Sequence, residues 1–181
     1  MPVRLRTVEK LGLQPGDRVL DIACGTGLSL GLLHAAVGET GEIVGVEVSP
    51  EMLQLARARV ATAGWSNVTL IEAAVEDVAP MPAFDAVLFH FTHDVLRSPV
   101  ALQKIFAAAR GQARVAFAGM KYAPWWMAPA NILVRAKARP YMTTLDGLAA
   151  PWELALAHLA EFEMQSVLFG TGYIGWGKTA P

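Results

Sequence analysis

The stretch VLDIACGTG, residues 19–27, constrains this chain more than any other. A short apolar run of strand type enters a glycine-rich turn, and an apolar segment of helical spacing continues to Val37. Strand, turn and helix in that order begin a parallel α/β unit. The turn offers backbone N–H groups and the positive end of a helix dipole to an anionic group. Gly25 and Gly27 carry no Cβ, so a ligand can approach the backbone closely there. Gly31 makes the pattern GxGxxxG, and Glu47 lies 20 residues beyond Gly27, at the end of the next strand. That spacing suits an acid accepting from two ribose hydroxyls. These features alone are compatible with a dinucleotide.

Asp21 separates the ligands. A carboxylate four residues before Gly25, inside an apolar strand, is costly to bury alone and repels a pyrophosphate. A ligand bearing an ammonium beside a carboxylate suits both features. The turn takes the carboxylate, and Asp21 takes the ammonium, directly or through water. An amino acid joined to a ribose matches.

Along the chain, short apolar runs alternate with longer helical patterns. The strands are expected at Arg18 to Ala23, Glu42 to Glu47, Asn67 to Glu72, Phe84 to His90 and Ala113 to Ala118. Helices are expected near Gly27 to Val37, Pro50 to Ala63 and Pro99 to Ala109. In the second of these, Ser49 caps, Pro50 takes the first position and Gly64 stops the helix. Met52, Leu55, Ala56 and Val60 recur at helical spacing and are expected to face a sheet. A further helix is expected near Pro151 to Ala160, followed by strands at Glu163 to Phe169 and Tyr173 to Lys178. The GTG between those strands fits a tight reversal, so they should pair antiparallel. The chain reads as one α/β domain over residues 1–181 with a mostly parallel sheet.

Composition excludes several classes. The 15 basic and 16 acidic residues leave a net charge of −1, without the basic footprint of a nucleic-acid binder. The single cysteine, Cys24, allows no intrachain disulfide. No apolar run approaches the roughly 18 residues of a membrane span, so a soluble cytoplasmic protein is expected. Hydrophobic residues make up 54%, enough for a core with apolar surface left for a lid, a substrate or a subunit contact.

VLDIACGTG followed by VGVEVSPEML resembles the nucleotide-binding motifs of the class I S-adenosylmethionine-dependent methyltransferases. The similarity extends through FDAVLFHFTHDVL to the paired C-terminal strands. The resemblance implies an α/β, Rossmann-like, seven-stranded and mostly parallel sheet, with helices on both faces and an antiparallel C-terminal strand. It implies that Ala23, Cys24, Gly25 and Gly27 line the methionine part of the cofactor, with Asp21 behind it. Glu47 would bind the ribose, Val48 and Met52 would pack on the adenine, and the Val75 amide would reach an adenine nitrogen. Many relatives place an aspartate where this chain has Ala74, and Glu76 and Asp77 are the candidate replacements.

Methyl transfer is a direct displacement from a good leaving group, so alignment and desolvation can carry most of the rate. A base is needed only where the nucleophile arrives protonated. The loop HFTHDVLRSP after the fourth strand lies near the transferable methyl in this family. His90 falls there against the cofactor, and His93 is the candidate base, its alternative role being to satisfy local backbone groups. Relatives often carry a histidine where this chain has Val95. The loop lacks the Asn/Asp-Pro-Pro-aromatic tetrapeptide of enzymes acting on amide or nucleobase nitrogens, which favours a small-molecule acceptor. No metal ligand set is expected.

Residues 119–150 form a connection too long for a simple strand-to-helix link. They carry Tyr122, Trp125, Trp126 and Tyr141, with Arg135, Lys137 and Arg139 between the aromatic groups. The segment before the first strand is too short to cap the site, so this insert is the expected lid. Its aromatics are candidates for enclosing an apolar or aromatic acceptor. Core packing and a homodimer contact are the alternatives. The leading reading is a methyltransferase acting on a small apolar or aromatic molecule. The others are an NAD(P)-dependent Rossmann oxidoreductase, against which Asp21 and the absence of a Tyr-x-x-x-Lys pair stand, and a non-catalytic cofactor-binding subunit.

Overall fold

A computed structural model describes residues 2–79, 81–139 and 142–181. Seven strands form one sheet in the order β3-β2-β1-β4-β5-β7-β6. They are β1 (Arg18–Ile22), β2 (Glu42–Glu47), β3 (Val68–Glu72), β4 (Phe84–His90), β5 (Ala109–Met120), β6 (Leu159–Val167) and β7 (Gly172–Thr179). The first five run parallel, and β7 lies antiparallel between β5 and β6. This is the Rossmann-like sheet expected from the sequence.

Period-two alternation divides the central strands between two cores. Leu20, Ile22, Val44, Val46, Val87 and Phe89 point to one side, where α5 (Pro99–Ala107) supplies Leu102 and Ile105. Val19, Ile43, Ala86 and Leu88 point to the other, against α1 (Val3–Lys10), α2 (Leu30–Val37) and α3 (Pro50–Ala63). Strands buried on both faces read as continuous apolar runs. Asp21 interrupts one of them on the α1/α2 side.

The ends of α3 follow their sequence signals. The Ser49 hydroxyl accepts the Met52 amide at 3.3 Å, Pro50 opens the helix, and Gly64 leaves it left-handed with φ 69°. The same device starts α5, where Ser98 accepts from Ala101 at 3.2 Å ahead of Pro99.

Three expectations are corrected. The buried residues of α3 are Leu53 and Ala56, whereas Met52 and Leu55 are exposed, because the sheet contact starts one residue later than the spacing suggested. Helix α2 begins at Leu30, since residues 25–29 are a run of turns. Residues 153–158 form a 3₁₀ turn instead of an α-helix, and β6 begins at Leu159. The segment before β1 is a helix, α1, packed on β4, β5, β7 and α2. The insert after β5 holds a short turn, Trp125–Met127, and α6 (Ala130–Ala138).

Candidate functional site

The candidate site lies at the carboxyl ends of β1, β2 and β4, where β1 has one neighbour on each side and the crossovers diverge. Past Ile22 the chain turns through Ala23, Gly25 and Gly27, with φ of 48°, 57° and 76°. The two glycines have different reasons. A Cβ on Gly25 would meet nothing nearer than the Ala23 carbonyl at 4.0 Å, so its missing side chain leaves open space for a ligand. A Cβ on Gly27 would strike the Leu30 side chain at 2.8 Å and Ala56 at 3.2 Å. Gly27 is therefore also needed for packing Leu30 and α3 against the turn. Cys24 is buried, its amide bonded to the Val46 carbonyl and its sulfur 2.9 Å from where a Cβ on Gly45 would sit. Burial pushes its thiol pKa upward, which fits a packing residue.

Glu47 locks this turn to the end of β2. Its Oε2 accepts the Gly25 amide at 2.9 Å, and its Oε1 accepts the Ser49 amide at 2.9 Å. Each carboxylate oxygen retains acceptor capacity for a further hydroxyl.

Asp21 is 1% exposed, and its Oδ2 has no hydrogen-bond partner among the described residues. Burial raises its carboxyl to about 7; the Arg4 charge opposes the rise and Glu47 adds to it. Arg4 comes from α1, and its Nη1 donates to the Ser29 hydroxyl at 2.6 Å. His90, at the end of β4, is buried with neither ring nitrogen bonded among the described residues. Burial, then the Arg4 charge, lowers it to about 3, so the imidazole is neutral. An orphaned carboxylate, a cation and a neutral imidazole thus flank the glycine turn.

Next to them an open cleft of about 180 Å³ is lined by Ala23, Val46, Glu47, Val48, Ala73, Ala74, Val75, Glu76, Asp94 and Val95. Glu47, Val48, Val75 and Glu76 are brought together as the sequence suggested. Val75 opens a 3₁₀ turn, so its amide has no acceptor within that turn. Glu76 accepts from the Ser98 hydroxyl at 2.6 Å. Met52 is 43% exposed outside this lining.

His93, the candidate base, is held by the insert. It does not line the cleft, and its Nε2 lies 3.1 Å from the Asp146 carbonyl. Burial lowers its pKa. Its neighbour Asp94 accepts the Thr143 amide from both oxygens, at 3.1 and 3.0 Å. The two residues of α4 (His93–Leu96) clip the far end of the insert to the body of the sheet. Trp125 and Trp126 are 85% and 66% exposed and do not reach the cleft, while Tyr122 is half-buried. Tyr141 lies outside the described residues.

Sequence reasoning missed Arg4 and the contact of Asp94 with Thr143. Arg4 is 17 residues from Asp21, on a helix whose charged spacing carries no ligand motif. Asp94 was visible only as a loop acid.

A family model described as a methyltransferase domain matches residues 19–112. A demethylmenaquinone methyltransferase from Symbiobacterium thermophilum is 35% identical over 103 residues, 55% of this chain and 41% of the relative. A ubiquinone/menaquinone biosynthesis C-methyltransferase from Ectopseudomonas mendocina is 39% identical over 108 residues, 54% of this chain and 42% of the relative. The chain spans about two fifths of the length of these relatives. Among solved structures, a SAM-dependent methyltransferase from Aquifex aeolicus superposes with TM-score 0.69 at 20% identity, covering 98% of this chain and 90% of the other. A phosphoethanolamine N-methyltransferase from Haemonchus contortus, solved with S-adenosyl-L-methionine, superposes with TM-score 0.75 at 14% identity. It covers 98% of this chain and 52% of that one.

S-adenosylmethionine fits what the turn offers: an unpartnered buried carboxylate for its ammonium, open space over Gly25, and an acid at the end of β2 for its ribose. The sheet, the glycine turn and the matched segment together place this chain in the methyltransferase-domain family, among the class I S-adenosylmethionine-dependent methyltransferases.

Proposed function

We propose that this chain transfers a methyl group from S-adenosylmethionine to a small apolar or aromatic molecule. The observation that carries the reading is the orphaned Asp21 oxygen beside the turn that Glu47 holds. A buried carboxylate without a partner is costly unless a cation completes it. Asp21 takes the ammonium, Arg4 balances the carboxylate, Glu47 accepts from the ribose hydroxyls, and Val48 and Val75 flank the adenine. With Ala74 in place of the usual acid, Glu76, which lines the cleft and spends one oxygen on Ser98, is the carboxylate placed to meet the adenine amine.

When bound, the cofactor supplies an electrophilic methyl on a sulfonium. His90, held neutral by burial, places no cation beside that charge. The chain contributes alignment in preference to acid–base chemistry. His93, engaged with Asp146, is a structural clip in this reading. An electron-rich ring carbon is the favoured nucleophile, since one curated relative is named a C-methyltransferase of ubiquinone/menaquinone biosynthesis and the other a demethylmenaquinone methyltransferase.

The test is thermal unfolding with S-adenosylmethionine, S-adenosylhomocysteine, NAD and NADP, for wild type and Glu47→Ala. A ligand at 100 times its dissociation constant adds about 2.7 kcal/mol, a shift of about 5 to 10 °C. Shifts with the sulfur ligands alone, weakened in Glu47→Ala, are expected. Mass-spectrometric screening of quinols and phenols for a methyl mass gain then identifies the acceptor. A shift with NAD or NADP alone sinks the reading and restores the oxidoreductase.

A further inference from the structure

The insert carries an outward apolar face that no part of the described chain covers. Trp125, Trp126, Ile132 and Leu133 are 85%, 66%, 72% and 65% exposed. The reversal between β6 and β7 adds Leu168 and Phe169, the latter 91% exposed. The two segments are joined: the Lys121 amide donates to the Thr171 carbonyl at 2.9 Å, and a Cβ on Gly170 would lie 3.0 Å from Pro124. Leu168 and Phe169 both hold left-handed backbone, with φ of 52° and 54°. That conformation is strained for L side chains, and here it thrusts a bare phenyl ring into solvent.

Charge says what meets this face. Residues 120–145 contain Lys121, Arg135, Lys137 and Arg139 and no acid, in a chain of 15 basic and 16 acidic residues. Among the described residues, none of these four pairs with a carboxylate. Arg135 on α6 and Arg139 at its C-cap, one helical turn apart, open on a surface hollow of about 480 Å³ completed by Thr143 and Thr144. Guanidinium and hydroxyl donors in one hollow suit a phosphate. Exposed tryptophans and aliphatic side chains flanked by cations are the pattern of a segment that rests in a membrane interface without crossing it.

We propose that α6, the Trp125–Trp126 turn and the Phe169 reversal form a docking surface for an anionic phospholipid bilayer, with the Arg135–Arg139 hollow taking a lipid phosphate. It rests on residues separate from the cofactor cleft. No helix among the described residues is long and apolar enough to span a membrane, and none is required.

The experiment is co-sedimentation of the full chain with vesicles of phosphatidylcholine alone and of phosphatidylcholine mixed with phosphatidylglycerol, at low and high salt. The variants are Phe169→Gly, Trp125→Ser with Trp126→Ser, and Arg135→Gln with Arg139→Gln. The S-adenosylmethionine thermal shift is measured on the same samples. Binding to the mixed vesicles, weakened by salt and reduced about thirtyfold by the loss of the two arginine charges, is expected. Phe169→Gly relieves the backbone, so it keeps the unfolding midpoint and the cofactor shift while losing vesicle affinity. Equal sedimentation of wild type and all variants overturns the proposal. So does a dimer that the tryptophan variant dissociates, which would show a second copy on this face. Because the cofactor shift is read separately, failure here leaves the methyltransferase reading standing.

Discussion

Glu47 and Gly25 are joined by a hydrogen bond of 2.9 Å, carboxylate to amide, across the gap between β2 and the turn after β1. The residue expected to hold the ribose therefore also holds the glycine turn in shape. Replacing it with alanine strands two partly buried amides, those of Gly25 and Ser49. We expect Glu47→Ala to lose about 3 kcal/mol, because bonds to charged groups are worth roughly 1.5–3 kcal/mol each. In a domain of this size the midpoint falls by roughly 6 to 12 °C. Glu47→Gln keeps an acceptor for one amide and should fall less, while both variants bind S-adenosylmethionine more weakly. Calorimetric unfolding with and without ligand separates the two effects, and an unchanged midpoint in Glu47→Ala would show that the turn holds itself.

Asp21 gives a pH signature. An unfolded chain releases this proton near the ordinary carboxyl value of 3.8, whereas burial keeps it on the folded chain until about 7. Its stabilising contribution is full below pH 3.8 and is lost as the pH rises through about 7. The neutral isostere in Asp21→Asn escapes that loss. Its midpoint relative to wild type should therefore climb between pH 4 and 7 and level off above. Cofactor affinity should run the other way. The ammonium prefers the ionised carboxylate, so wild-type binding tightens up to about pH 7 and Asp21→Asn shows no such rise. Titration calorimetry from pH 5.5 to 8 decides this, and parallel pH profiles for the two proteins would exclude an ammonium contact.

Arg4 is half-buried, its own pKa lowered by desolvation while Asp21 pulls it back up. In Arg4→Met the carboxylate of the ligand loses its cation and Asp21 is protonated more readily. A loss of roughly 10- to 100-fold in S-adenosylmethionine affinity is expected, the worth of one charge-assisted bond. An unchanged dissociation constant would confine Arg4 to packing α1 through Ser29.

The insert is fastened at its far end by Asp94 and His93. Asp94→Ala frees the Thr143 amide, and His93→Ala frees the Asp146 carbonyl. Each should raise proteolytic cleavage within residues 120–145 by about tenfold without a comparable fall in global midpoint, because only a local opening becomes easier. Unchanged cleavage would mean that the apolar contacts of Val134 and Leu148 hold the segment without the clip.

Legibility followed the range of the interaction. The bounds of α3, β2 and β4 match the sequence reading because Ser49, Pro50 and Gly64 act within one turn and the apolar runs are local. The GxG pattern did not say which glycine faces a ligand. Gly25 and Gly27 have the same backbone handedness, and the packing of Leu30 and of Ala56 on α3, the latter some 30 residues on, distinguishes them. Helix α1 escaped because eight residues with four charges bury only Thr7 and Val8. The partner of His93 sits 53 residues away, so a clip and a base looked alike.

The position of β7 between β5 and β6 has a consequence for how the chain is made. On a ribosome the five parallel strands emerge in order and each can find a neighbour, but β6 emerges before β7, the strand it pairs with. Until Gly172–Thr179 arrives, the outer edge of β5 presents an unpaired row of amides and carbonyls, and β6 has no place in the sheet. A strand of eight residues closes both edges at once. The interval before it appears is the period in which two nascent copies are most able to pair with each other by mistake.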